Sequence, residues 1–122
     1  GVQTCALPIS GGIQALQQHN HDLAVRGREV LCGAVGTAPP APDSMLGCLA
    51  SVILRPSAAP LLGPLGLDPL HAHLFEQHRI EVPVMRWPSP ALRMCRISPQ
   101  IYNTIEQYRF LAAAVQEFEA RA

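Results

Sequence analysis

The chain contains no lysine: all nine of its basic residues are arginine, and nine acidic residues balance them to a formal net charge of zero. Without an ε-amino side chain it cannot supply a Schiff-base lysine or a P-loop lysine. The balanced charge also argues against the clustered basic excess that nucleic acids and anionic membranes require. We therefore expect no nucleic-acid partner and no membrane association.

Charged residues are few, at 15%, and hydrophobic residues make up 48% of the 122 positions. This composition is typical of a globular chain, and the length allows one domain at most. No apolar run approaches the roughly 18 residues of a membrane-spanning helix. The four cysteines, at positions 5, 32, 48 and 95, form no CxxC pair, which argues against a zinc ribbon or a thioredoxin-type site. We expect reduced, mostly buried thiols in a cytoplasmic protein.

Three histidines, His71, His73 and His78, lie close together in the sequence. In a helix His71 and His73 lie on different sides, whereas His71 and His78 share a face but are two turns apart. No third ligand lies near that pair. We therefore expect no metal site.

The first ten residues, GVQTCALPIS, lack the basic segment and the long apolar segment of a signal peptide. They resemble the conceptual translation of a sequencing-adapter oligonucleotide. The expected organisation is therefore a non-native leader at residues 1–10, followed at residues 11–122 by one domain of a longer protein.

Six segments beyond the leader show helical or strand periodicity. In chain order they are a helix at 13–35, a strand at 47–54, a helix at 70–79, strands at 80–87 and 92–97, and a helix that ends near residue 120. Asp68 before Pro69 predicts the start of the second helix, and Asn103 with Glu106 predicts a capping box for the last.

This order predicts an α/β (α+β) two-layer domain, in which helices cover one face of a small, three-stranded, mainly antiparallel sheet. Pro83 cannot donate to a strand ladder, so its strand is expected at an edge or at a bulge. The apolar stripe of the first helix is expected to need a partner surface that lies partly outside the chain.

Residues 94–108, MCRISPQIYNTIEQY, resemble the closing motif of the class V aminotransferase family of pyridoxal-phosphate (PLP) enzymes. There a strand carries arginine, a hydrophobic residue and serine, and Tyr-Asn-Thr and an acidic helix start follow. Residues 41–49 (APDSMLGCL), residues 73–88 (HLFEQHRIEVPVMRWP) and Asn20-His21 resemble the isopenicillin N epimerase-like branch of that family. The resemblance covers residues 11–122 and implies the C-terminal small domain of a fold-type I enzyme.

By this resemblance Arg96 matches the arginine that binds the α-carboxylate of an amino-acid substrate. A guanidinium offers a carboxylate a planar, charged fork, which suits this role. The alternative is a structural arginine paired with an acid or with the C-terminal carbonyls of a helix. Tyr102 and Asn103 are further substrate-binding candidates, with packing and helix capping as their alternatives. Arg93 faces the opposite side of the strand, so we expect its replacement to have a mild effect.

The resemblance further implies a cofactor, PLP, in the full-length parent, where the missing large domain supplies the lysine that holds it. This chain is then expected to lack catalytic residues, to bind no PLP alone, and to belong to a homodimer. Epimerisation, transamination and carbon–sulfur lysis stay open. Cysteine desulfuration is disfavoured, because residues 79–83 contain no cysteine.

Two other interpretations remain. The chain can be a stand-alone α/β binding module for an amino acid or a protein partner, or a reading frame without a selected function.

Overall fold

The structure is a computed structural model that describes residues 11–121, so the expected leader at residues 1–10 lies outside the described part. Its elements are α1 (Gly12–Val35), a 3-10 turn (Asp43–Met45), β1 (Ala50–Ile53), α2 (Pro69–His78), β2 (Val84–Arg86), β3 (Arg93–Ile97) and α3 (Ile105–Arg121). The predicted order of helices and strands is confirmed.

The three strands form one antiparallel sheet in the order β1-β3-β2, which confirms the predicted small α+β domain. The register sets Ser51 opposite Arg96 and Met85 opposite Met94. β2 lies at an edge, as Pro83 predicts. The longest strand, β3, is therefore the central one and carries Arg96 near its end.

All three helices pack on one face of this sheet. Along β3, Arg93, Cys95 and Ile97 are buried beneath the helices, whereas Met94 and Arg96 alternate to the open face. The core is made of apolar side chains from α1, α3 and the inner face of the sheet, among them Leu31, Val52 and Val115. The domain thus has two layers, and one face of its sheet is left without a covering layer of described residues.

The middle and C-terminal parts of the apolar stripe of α1 are covered within the domain, whereas Ile13 at its start is 67% exposed. α1 packs chiefly along α3, and its inward residues Leu23, Ala24 and Leu31 are buried. Gly27 permits this close approach, because a Cβ at that position would lie 2.9 Å from Ile97 Cδ1. The stripe meets the chain's own C-terminal helix, a pairing that local periodicity does not reveal.

Two predicted strands are longer than the observed ones. The strand expected at 47–54 is confined to Ala50–Ile53, and the one expected at 80–87 to Val84–Arg86. Pro83 has no N–H, so β2 pairing ends there, although the Pro83 carbonyl still accepts from the Arg96 N–H at 3.2 Å.

The start of α2 is as predicted, with Asp68 accepting a hydrogen bond from the Leu70 N–H at 2.9 Å. Within residues 11–121, no helix combines the length and the apolar character that a membrane crossing requires.

Candidate functional site

Arg96 lies on the open face of the sheet, and its side chain is exposed. Its backbone is fixed on both sides, by Ser51 of β1 and by the carbonyl of Pro83. Its guanidinium forms no ion pair with any acidic residue between positions 11 and 121. The expected alternative, a structural ion pair, is therefore not seen in the described part of the chain.

Arg93, three residues earlier on β3, has the opposite environment. Its side chain is 2% exposed, and its guanidinium contacts Asp68 Oδ1 at 3.2 Å and Glu119 Oε1 at 2.6 Å. Its Nε donates to the carbonyl of Arg55 at 2.9 Å. This environment argues against a mild effect of replacing Arg93, because removal of this cation would leave buried carboxylates short of a partner.

Asp68 is the centre of a buried ionic network. Besides capping α2 it contacts Arg93 and accepts from Arg86 Nε at 2.5 Å. Arg86 also donates to the carbonyls of Ser57, at 2.9 Å, and Pro90, at 2.8 Å. The sequence contains one sign of this network. Arg86 lies two residues after Val84 on the same strand, so both side chains are expected on the same face of the sheet.

A cleft of about 590 Å³ lies beside Arg96. Its walls come from the end of α2 and the segment after it (residues 78–83), from the end of β3 and the residue after it (residues 96–98), and from the turn before α3 and the first part of α3 (between residues 103 and 111). Apolar side chains such as Phe110 and Leu111 alternate there with charged and amide groups. A cleft of this size and mixed lining suits a small polar ligand.

The nine arginines divide into two groups. Five form ion pairs with carboxylates: Arg28, Arg86, Arg93, Arg109 and Arg121. The other four have no acidic partner within the described chain, and of these only Arg79 and Arg96 line the cleft. The cleft therefore holds two of the four arginines that have no acidic partner among residues 11–121.

Asn103 lines the same cleft, but it does not cap α3 in the predicted way. α3 begins at Ile105, and Gln107, not Glu106, accepts from the Thr104 N–H at 3.0 Å. Asn103 Oδ1 instead accepts from the Gln100 N–H at 2.8 Å and closes the preceding turn. The predicted capping box was wrong by one position because Thr104 and Gln107 have the same three-residue spacing.

Tyr102 does not reach this cleft. Its side chain is 75% exposed, and the residue is not part of the cleft wall. Burial raises the pKa of the neighbouring Tyr108 phenol, and the charge of Tyr102 adds to that shift. The structure thus brings Arg96 and Asn103 to one cleft and leaves Tyr102 outside it.

The histidines meet in a different pair from the one that helical spacing suggests. The rings of His73 and His78 lie 5.3 Å apart, and each also packs against a phenylalanine of α3, Phe118 and Phe110 respectively. His73 Nε2 is buried without a hydrogen-bond partner. No group of three potential ligands able to hold a metal occurs among residues 11–121.

None of the cysteines at positions 32, 48 and 95, which the structure describes, lines the cleft. Cys95 adjoins Arg96 but is buried on the other face, where burial and the nearby Cys32 raise its pKa to about 12. Burial likewise raises the pKa of the Cys32 thiol. A nucleophilic cysteine needs a low pKa and access, and these two thiols have neither.

A second cleft, of about 640 Å³, lies between residues 58–61 and residues 88–91 beside Arg86. It is mainly apolar, and Arg86 is fully engaged by Asp68 and by backbone carbonyls. It therefore offers no free charge to a polar substrate, in contrast to the cleft beside Arg96.

No known protein family and no curated protein gives a significant match to this chain. PLP does not fit the chain by itself, because no lysine is present to hold it. The functional assignment depends on the motif at residues 94–108 and on the chemistry of the cleft.

Proposed function

We propose that this chain is the C-terminal small domain of a PLP-dependent enzyme of the class V aminotransferase family, in the isopenicillin N epimerase-like branch. Its task is to bind the α-carboxylate of an amino-acid substrate through Arg96. The cofactor and the catalytic residues belong to a large domain, and the parent enzyme is a cytoplasmic homodimer. Epimerisation, transamination and carbon–sulfur bond cleavage are all compatible with this role.

The observation that carries the proposal is that Arg96 lies at the wall of a cleft with a mixed polar and apolar lining, while its guanidinium forms no ion pair among residues 11–121. Five other arginines are ion-paired, including the buried Arg93 on the same strand. A guanidinium on a strand end is held in a fixed position. Because it has no carboxylate partner within the described domain, it can bind the carboxylate of a ligand. Asn103 lies on the same wall, where its amide is bonded within the chain: Oδ1 accepts from the Gln100 N–H and Nδ2 donates to Gln107 Oε1.

A stand-alone binding module is the second candidate, favoured by the self-contained core. α1, the element expected to need an outside partner, is packed against α3. Under this alternative the same cleft binds a free amino acid or the carboxylate of a partner without chemistry, and Arg96 keeps its role.

The source locus separates these two candidates. Sequencing it by an independent method should reveal an in-frame large domain with a PLP-binding lysine upstream of residue 11. An intact gene that encodes this domain without any such lysine would favour the binding module.

Binding by the chain itself tests the role of Arg96. In an NMR titration at low ionic strength, L-alanine should shift the resonances of residues around the cleft, whereas L-alaninamide, which lacks the carboxylate, should not. Arg96→Gln should abolish the response. Arg55→Gln is the matched control, because Arg55 is exposed and lies outside the cleft.

In the full-length enzyme, Arg96→Ala should lower kcat/KM by about ten- to several-hundred-fold, the value of a charge-assisted contact to the substrate. The cofactor absorbance should stay unchanged. Arg96→Lys should recover part of the loss, because an ammonium group cannot form the bidentate fork. Unchanged turnover in Arg96→Ala would contradict the assignment.

A further inference from the structure

Arg79 is the second arginine on the wall of the cleft, and it lies in the segment after α2 rather than in the stretch that carries Arg96. Like Arg96 it is exposed and has no acidic partner between residues 11 and 121. The motif at residues 94–108 does not include it, and the proposed carboxylate contact does not use it. One carboxylate needs only one guanidinium partner, so the second arginine of the cleft has no role in the proposed contact.

The backbone of Arg79 adds a second observation. Arg79 ends α2 in the left-handed region, with φ 57°, and is the one described residue other than glycine with a positive φ. Its N–H donates to the carbonyl of Phe75 at 3.1 Å, as a helix-terminating residue should. Glycine or asparagine is usual at such a position, so an arginine here is strained and local structure does not require its side chain.

The helix dipole offers a simpler account, because a cation near the C-terminus of a helix is stabilised. His78 already occupies the last turn of α2 as its basic residue. No hydrogen bond joins the Arg79 guanidinium to a carbonyl of that turn within the described chain. The helix dipole explains why a positive charge is stable at the end of α2. It does not explain why an arginine occupies a position with a positive φ.

The register of the sheet limits how far Arg79 can lie from the residue that faces Arg96. Pro83 is hydrogen-bonded to Arg96, so Arg79 precedes the position opposite Arg96 by four residues, at most roughly 13 Å of extended backbone. Both residues border one cleft of about 590 Å³, and their long side chains are within reach of the two ends of a small ligand bound there.

The acids of the cleft have unequal effects. Glu106 is ion-paired with Arg109, outside the cleft wall, so its charge is partly neutralised. Glu81, two residues after Arg79, is exposed and would weaken the attraction of a second anionic group. The two arginines outnumber this one unpaired carboxylate.

We propose that Arg79 is a specificity-determining residue that binds a second, distal carboxylate, so that the substrate class is the dicarboxylic α-amino acids. This inference rests on the proposed function, because it takes Arg96 as the site of the α-carboxylate. Arg79 adds a charge-assisted contact at the other end of the ligand.

The test compares L-glutamate with L-glutamine, which have nearly the same shape and differ in the distal charge. In NMR titrations of the 122-residue chain at fixed low ionic strength, glutamate should bind about threefold to tenfold more tightly than glutamine, as expected for an exposed charge-assisted contact. Arg79→Gly should remove this preference and leave glutamine binding unchanged. Because glycine adopts the left-handed conformation readily, this variant should keep its fold.

Three variants complete the design. Arg79→Lys should retain part of the preference, because it keeps the charge. Glu81→Gln should increase it, because it removes the repelling carboxylate. Arg55→Gln, which removes an arginine outside the cleft, should leave the ratio of the two affinities unchanged.

The failures of the two proposals differ. Equal affinities for glutamate and glutamine, both lost in Arg96→Gln, would overturn the role of Arg79 and leave the proposed function intact. A glutamate preference that persists in Arg79→Gly would also overturn it. If neither ligand binds, or if Arg96→Gln binds both as the parent does, both proposals are wrong.

Discussion

Arg93 and Arg96 lie three residues apart on β3 and face opposite sides of the sheet, one buried in an ionic network and the other exposed beside a cleft. Strand alternation alone separates them, since odd-numbered positions here face the helices and even-numbered ones the open side. The same residue type thus stabilises the fold at one position and stays free to bind a ligand at the other.

Arg93→Ala should strongly destabilise the domain. The substitution removes the contact to Glu119 and one of the two cationic partners of Asp68, and breaking a buried pair costs about 3–5 kcal/mol. Urea denaturation monitored by circular dichroism would show the loss. Arg93→Lys keeps the charge without the fork and should fall between the parent and Arg93→Ala.

The matched control for Arg93 is Arg121→Ala. Arg121 forms an exposed pair with Glu117 one helical turn away, with side chains 68% and 49% exposed. Such pairs contribute about 0.3–0.5 kcal/mol. If both alanine variants had similar midpoints, the network around Asp68 would not be a main source of stability.

Two glycines of α1 should respond in opposite directions to alanine. A Cβ added at Gly33 would meet no atom within 4 Å, so Gly33→Ala should stabilise the helix by about 0.5–1 kcal/mol. At Gly27 a Cβ would lie 2.9 Å from Ile97 and 3.1 Å from the Tyr108 ring. Gly27→Ala should therefore be less stable than Gly33→Ala by about 1–3 kcal/mol of overpacking. Equal thermal midpoints would refute the close packing of α1 on β3 and α3.

The chain alone should form no PLP adduct at a side chain. PLP enzymes hold the cofactor on a lysine, and this sequence has none. Incubation with PLP, borohydride reduction and intact-mass measurement test this, with the N-terminal amine acetylated beforehand. A stoichiometric adduct on the acetylated chain would contradict the proposal that a separate large domain binds the cofactor.

Local signals predicted most of the fold. The Asp68-Pro69 start of α2 depends on neighbouring residues, and its prediction is confirmed. Pro83 identified the edge strand because a missing N–H is visible in any sequence. The partner of α1 was not predicted, because contacts between the two ends of the chain leave no local periodicity.

The candidate site was predictable only in part. Strand alternation placed Arg96 and Cys95 on opposite faces, as observed. Tyr102 follows Arg96 closely in the motif, yet the turn before α3 directs it outside the cleft wall. Arg79 was not predicted, because its significance depends on a backbone angle and on a cleft that three separate segments form. Its position at the end of a helix, where glycine is usual, was the one signal in the sequence.

Stability at alkaline pH provides the last test, centred on Cys95. Burial raises the pKa of this thiol from 9.0 to about 12, so the folded state retains its proton where the unfolded chain has lost it. The unfolded state then binds fewer protons, so the free energy of unfolding falls as pH rises from about 9 to about 12. The buried groups Cys32 and Tyr108, whose pKa values are also raised, act in the same direction.

Urea midpoints measured from pH 8 to pH 11 should therefore decline steadily, and Cys95→Ala should reduce the slope even though it also lowers the stability at pH 8. Cys48→Ala is the control, because the Cys48 thiol is half-buried outside the core and its removal should leave the slope as it is. The readout is the slope and not the absolute stability, which separates proton linkage from the loss of packing. A parent domain whose stability does not change between pH 8 and pH 11 would mean that Cys95 reaches solvent, and the inner face of β3 would then have to be assigned differently.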